Sequence, residues 1–234
     1  MAQATRDRLL DALRDGAYPD DRLPPEAELA RDLGVSRATV RAALQGLADD
    51  GIVTRRRRHG TVVNRQALRG GMPLNRLVSF RELVEQGGRV ASVDPLVRRE
   101  TVPDAEVLAA LGLEPGTPCL EVERLLRADG EPAVTITDTL ALDLLTVGPD
   151  DVEDADSTFA FIAANTAEAV DHALVEVVPC VASADGPAHL ELPDGAPYLE
   201  LAELLFTPDG QPVAHSRIAV DPRQVRLTLA RRQG

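Results

Sequence analysis

Apolar and polar residues alternate along the chain in distinct periods, and each period predicts an element. Over Thr5–Leu13, Leu9, Leu10, Ala12 and Leu13 are set among arginine and aspartate, the spacing of an amphipathic helix, and Gly16 stops it. A turn with Pro19, Asp20 and Asp21 leads to Leu23-Pro24-Pro25. Pro25 suits a helix start, and Glu26 and Glu28 suit the positive end of that helix's dipole. This second helix is short, with Ala27, Leu29, Ala30 and Leu33 expected inside and Gly34 closing it. Ser36 is a good N-cap for a third helix, which carries Val40, Ala43, Leu44 and Leu47 inward and ends at Asp50-Gly51. Ile52–Thr54 and Thr61–Val63 have the character of two short strands around a turn at Arg57–Gly60.

Beyond Asn64 the periodicity lapses in RQALRGGMPLN, whose paired glycines Gly70 and Gly71 mark a linker. From Arg76 helix and strand signals mix. LVSFRELVEQGG predicts a short helix, VASVDPLVRRETV a strand, and DAEVLAALGL a short helix capped by Asp104. An internal repeat organises the rest. Leu111, Leu113, Gly116, Pro118, Leu120, Leu126, Gly130 and Pro132 recur as Leu190, Leu192, Gly195, Pro197, Leu199, Leu205, Gly210 and Pro212. Each copy holds a turn, an alternating strand and a DG turn that opens a hairpin. Two copies predict paired hairpins in one antiparallel sheet, with Ser157–Ala169 as a helix covering one face. The fold class is therefore α+β in two domains: residues 1–66, a linker over 67–75, and residues 76–234.

Charge separates the same two parts. Residues 1–66 hold 12 arginines and 10 acidic residues, net +2; residues 67–234 hold the other 13 arginines and 28 acidic residues, net −15. A mildly basic head on an acidic body suggests that only the head approaches a polyanion. The longest uncharged run, Ser157–Ala167, is 11 residues, too short to span a bilayer, and the charged N-terminus lacks the apolar core of a signal peptide. A cytoplasmic protein with no membrane partner is expected. Two cysteines and four histidines without ligand spacing give no metal motif, and no nucleophile elbow, phosphate loop or dinucleotide fingerprint is present. No catalytic residue, metal or cofactor is expected.

Helix, helix, three-residue turn, helix and hairpin is the order of a winged helix-turn-helix. The stretch LPPEAELARDLGVSRATVRAALQGLADDGIV, followed by HGTVV, also resembles the DNA-binding domain of GntR-family bacterial regulators over almost 45 residues. On that reading the third helix lays Ser36, Arg37, Thr39 and Arg41 against operator DNA. Arginine offers a two-donor fork that matches guanine, and Arg37 and Arg41 project from one face at i and i+4. Ser36 and Thr39 can reach phosphates. The resemblance places Arg37 and Arg41 where family members contact bases and phosphates. Family members often carry a further basic residue on the second helix; here Arg31, on the same helix, or the wing is expected to supply that charge. In the wing, Arg57, Arg58, His59, Gly60 and Thr61 are expected at phosphates or in the minor groove.

The repeat resembles the UTRA effector-binding domain of the HutC branch of that family, over roughly residues 76–231, on its L-x-L-x-x-G-x-P, ADG-x-P and DG-x-PV signatures. This implies a chorismate-lyase-like fold and an effector pocket lined by Ser79, Phe80, Arg81 and Arg124. Positions that carry a second arginine, an acidic residue and an aromatic residue in phosphosugar-sensing relatives are Leu126, Ala214 and Val220 here, which points to a smaller or more apolar anion. Arg124 and Glu203 interrupt the apolar faces of the two repeated strands at equivalent positions. Either they pair with each other, or they line the ligand cavity, or both, because such charges are rarely buried alone. The expected protein is a homodimeric, effector-responsive repressor on a palindromic operator. The alternatives are a regulator whose C-terminal domain only dimerises and, more remotely, a chorismate-lyase-type enzyme with a DNA-binding head.

Overall fold

The computed structural model describes residues 1–18, 20–56, 60–69, 72–74, 76–183 and 186–229. The chain forms two compact units, one of Met1–Arg76 with the C-terminal residues from Leu227, the other of Leu77–Arg226.

In the first unit the helices are α1 (Ala2–Arg14), α2 (Glu26–Leu33) and α3 (Arg37–Asp49). Gly34 ends α2 at φ 68°, a left-handed conformation that glycine adopts without strain. Two residues later the Ser36 hydroxyl accepts the Thr39 N–H at 3.0 Å and starts α3. Leu9, Leu13, Leu29, Val40, Leu44 and Leu47 fill the core between the helices, each at most 1% exposed. Ala27, expected inside, is exposed. It stands a little over half a turn from Leu29, so Leu29, Ala30 and Leu33 carry the narrow inward stripe of this short helix.

Three strands follow the expected wing and add to it: β1 (Arg22–Leu23), β2 (Val53–Arg56) and β3 (Gly60–Val63). β3 lies between the other two, both antiparallel to it. The two-residue β1 is too short to leave a periodic signal in sequence. The stretch expected as a linker contains a helix, α4 (Arg65–Arg69), and a strand, β4 (Met72–Pro73), which pairs in parallel with Leu227–Thr228. Gly70 and Gly71, the paired glycines of that stretch, lie outside the described residues. A buried ion pair joins the ends of the helical layer: Arg6 of α1 donates to Asp50 after α3, with side chains 4% and 2% exposed.

The second unit is built on one sheet of β5 (Ala91–Thr101), β6 (Cys119–Ala128), β7 (Glu131–Ala141), β8 (His172–Val181), β9 (Pro197–Phe206) and β10 (Pro212–Val220). The order is β5-β6-β7-β10-β9-β8, antiparallel throughout. The two repeated segments are the hairpins β6–β7 and β9–β10, and their second strands lie side by side at the centre. The first hairpin turns at Asp129-Gly130, both with positive φ of 55° and 87°, as a tight two-residue hairpin turn requires. Helices α5 (Phe80–Gln86), α6 (Ala105–Ala110) and α7 (Thr158–Asn165) begin at Ser79, Asp104 and Ser157, whose side chains accept the N–H groups of Glu82, Val107 and Ala160. α7 ends four residues before the expected Ala169. Its Phe161 and Ile162 join Leu120, Val122, Leu140 and Leu205 in the core on one sheet face. The fold is thus the α+β arrangement expected, helices with antiparallel sheets.

Candidate DNA interface and effector cavity

On α3 the first residue, Arg37, is exposed and makes no side-chain hydrogen bond among the described residues, and Arg41 stands one turn further on the same face, 61% exposed. The Ser36 hydroxyl is already committed to the helix: besides capping it, it meets the Thr39 hydroxyl at 2.8 Å. Arg31 is exposed on α2. In the wing, Gly60 is exposed at φ 78° and Thr61 is half-buried, opposite Arg55 on β2. Arg57, Arg58 and His59 lie outside the described residues.

Glu26 was not among the expected site residues, yet it organises this surface. Its carboxylate accepts Arg41 Nε at 3.2 Å and Nη2 at 2.8 Å, and Arg55 Nη2 at 2.6 Å. The hydrogen bond from Arg41 holds the Glu26 carboxyl below its ordinary pKa, and the charges of Arg41, Arg55 and Arg37 act the same way. In sequence, an acid in the first turn of a helix is accounted for by the dipole alone, so nothing flagged a second role.

The second unit contains a cavity of about 250 Å³ against β5 and β6, lined by Leu96, Val122, Arg98, Arg124, Asp154 and Asp156 among others. Arg124 is 3% exposed. Its Nη1 donates to Asp138 Oδ2 at 2.5 Å, its guanidinium lies 5.1 Å from the centre of the Phe161 ring, and its buried Nη2 has no hydrogen-bond partner among the described residues. A buried guanidinium nitrogen left unmatched beside a cavity suits an acceptor entering that cavity. Arg98 anchors the rim by donating to the Val152 carbonyl at 3.0 Å.

The pairing of Arg124 with Glu203, weighed from sequence, does not form. Asp138 on the neighbouring strand β7 is the partner, while Glu203 on β9 is three strands from β6, roughly 14 Å at the usual strand spacing. The sequence showed two charges in equivalent places; which strands separate them was decided by the sheet order. Glu203 also lies outside the lining of the cavity. It is the cross-strand partner of Ser216, which in turn faces Asp138. Burial, with the Asp138 charge, pushes the Glu203 carboxyl up to about 7. Of the other expected effector residues, Arg81 reaches the rim through an ion pair with Asp156. Ser79 caps α5, and Phe80 is buried at 8% exposure. Asp138, Thr158 and Ser216, not singled out in sequence, hold Arg124 from behind: both hydroxyls donate to the Asp138 carboxylate.

Among the described residues no helix is long and apolar enough to cross a membrane.

Residues 1–63 match the gntR family of bacterial regulatory proteins, and residues 86–226 match the UTRA domain. An uncharacterised helix-turn-helix transcriptional regulator of Rhizobium meliloti, RB1450, is 28% identical over 224 residues, 95% of this chain and 91% of that protein. The transcriptional repressor PhnF of Mycolicibacterium smegmatis is 37% identical over 130 residues, 56% of this chain and 50% of that one. The crystal structure of PhnF from Mycobacterium smegmatis superposes with a TM-score of 0.63 at 26% identity, covering 100% of both chains. An exposed recognition helix in one unit and a UTRA fold in the other therefore have one common explanation: the chain belongs to the gntR family of bacterial regulators that carry a UTRA domain, and is an effector-responsive, DNA-binding transcription regulator, not an enzyme.

Proposed function

We propose that the chain is a homodimeric repressor in the cytoplasm, released from a palindromic operator by a small anionic ligand. Residues 1–66 serve as the DNA-binding domain, residues 67–75 as connector, and residues 76–234 as effector and dimerisation domain. Each protomer offers α3 to one half-site, with Arg37 and Arg41 toward base edges and phosphates and with Arg31 and the wing residues Arg57, Arg58, His59, Gly60 and Thr61 supporting it. Similarity to PhnF, named a repressor, supports the direction of control.

The observation that carries the effector reading is Arg124: a cation 3% exposed, with one nitrogen unmatched, at the edge of a 250 Å³ cavity. Arg81 contributes through Asp156, and the apolar wall of Leu96 and Val122 favours a ligand with an apolar body over a phosphosugar. Native mass spectrometry of the protein as purified tests both parts. A dimer mass that carries a small acid, lost in Arg124→Leu, is the expected result. A monomer, or a retained ligand indifferent to Arg124, overturns the corresponding half.

A further inference from the structure

Glu26 presents an electrostatic problem. It stands at the first position of α2, and its carboxylate is 19% exposed beside two arginines on the surface proposed above to face the operator. A negative charge there repels phosphate and cancels part of the positive field that draws DNA in. As a surface ion pair it adds little to folding. On charge alone, the surface would bind DNA better without it.

The geometry gives the carboxylate another use. Arg41 comes from α3 and Arg55 from β2, and Glu26 is where they converge. The Nε and Nη2 donors of Arg41 are both taken up, which fixes the plane of the guanidinium and leaves Nη1, with the second Nη2 proton, directed away from the carboxylate. A guanidinium fixed in plane presents a fork in one direction, whereas a free one samples many rotamers and must be ordered on binding. Arg55 is held from two sides, by Glu26 at 2.6 Å and by Gln45 Oε1 at 3.4 Å, so the root of the wing is tied to α3. Arg37, the other arginine of the face, acts on Glu26 only through its charge and has no side-chain hydrogen bond among the described residues.

We propose that Glu26 is a positioning residue for sequence discrimination: it holds Arg41 and Arg55 in the orientation that fits the operator, at the expense of general affinity for DNA. The inference rests on the proposed contact of Arg41 with DNA. It assigns different work to the arginines. Arg41 and Arg55 are a preset pair, and Arg37 is ordered by the DNA itself.

The two effects of Glu26 have opposite signs, so one experiment separates them. Selection by the full-length wild-type protein from a randomised 30-base-pair pool defines an operator duplex, and a scrambled duplex of the same composition serves as reference. Glu26→Gln is expected to weaken the selected duplex ~10-fold while binding the scrambled one as well as or better than wild type. Glu26→Asp, which keeps the charge on a shorter arm, should fall between, and it decides the matter should the glutamine variant not fold. In an Arg41→Ala/Arg55→Ala background, Glu26→Gln should leave the ratio of the two Kd values unchanged. If Glu26→Gln tightens both duplexes by the same factor, the carboxylate is only a charge. If it lowers the ratio equally with and without the arginines, it does not act through them. Either result overturns the proposal while leaving the Arg41 contact standing. Arg41→Ala binding both duplexes like wild type removes that contact, and the proposal with it.

Discussion

Arg124 and Asp138 meet inside the second unit at 2.5 Å, on adjacent strands, with side chains 3% and 1% exposed. The hydroxyls of Thr158 on α7 and Ser216 on β10 donate to the same carboxylate at 2.9 and 2.6 Å. Three elements are thereby tied to the residue that borders the cavity. Arg124→Leu leaves the Asp138 charge buried without its cation and is expected to cost about 3–5 kcal/mol. The double variant Arg124→Leu/Asp138→Leu should recover much of this, since two apolar side chains of suitable size leave no stranded charge. Urea unfolding of the three proteins checks it, and a single variant as stable as wild type would show that the two hydroxyls suffice for Asp138.

Glu203 gives a pH dependence whose direction follows from its raised pKa. The folded protein holds the Glu203 proton up to about 7, whereas an unfolded chain releases it near the ordinary glutamate value of 4.5. The folded state thus binds more protons in that window, and stability is lost as pH rises through it, by about 3 kcal/mol in the limit set by those two values. Above pH 7 the loss levels off. Glu203→Gln should be more stable than wild type at pH 8 and close to it at pH 4.5. Urea titrations of both proteins at several pH values measure this, and parallel curves across the window would exclude Glu203 as the source.

The contrast between Arg124 and Ser36 shows what a linear sequence reveals. Ser36 and Asp104 were identifiable as helix caps because the N–H each one satisfies lies three residues along the same chain. The repeated hairpins were legible for a related reason: the DG turns fix which strands neighbour each other locally. The order of the two hairpins in the sheet is a non-local choice, and the partner of Arg124 depends on register between β6 and β7. Glu203 was therefore the only partner weighed for Arg124, and Asp138 was not singled out. Likewise Arg6 and Asp50 are 44 positions apart, and each separately has the composition of a solvated helix surface. Among the effector residues inferred by resemblance, Arg124 and Arg81 come to the cavity or its rim, while Ser79 and Phe80 have structural duties.

The Arg6–Asp50 pair predicts a stability defect confined to the first unit. Asp50 is 2% exposed in its side chain and closes α3, and its loss leaves the buried Arg6 guanidinium with the more exposed Asp7 carboxylate, 3.0 Å away, as its ion-pair partner. Asp50→Ala is expected to destabilise that unit by about 2–3 kcal/mol, below the full cost of stranding a buried charge because Asp7 remains. Differential scanning calorimetry should show the corresponding transition moved down, with that of the acidic unit in place. Equal shifts in both transitions would mean that the units unfold together.

Arg37 is the residue on which the proposed reading of the operator most directly turns. It begins α3, is exposed and makes no side-chain hydrogen bond among the described residues, whereas Arg41 shares its donors with Glu26 and Ser36 is occupied as the cap. The first turn of a recognition helix is the part that meets base edges, and a free guanidinium there can give both donors to guanine O6 and N7. Arg37→Ala should therefore lower discrimination between selected and scrambled duplexes by ~1–3 kcal/mol while changing scrambled binding little. A phosphate contact would behave differently. Both duplexes would then weaken alike, and the slope of log K against log salt would fall in magnitude by about 0.9. Fluorescence anisotropy with the two duplexes over a salt series distinguishes the outcomes. A variant that still separates operator from scrambled DNA as well as wild type is inconsistent with base reading by Arg37, and would shift that role to the preset pair at Arg41 and Arg55.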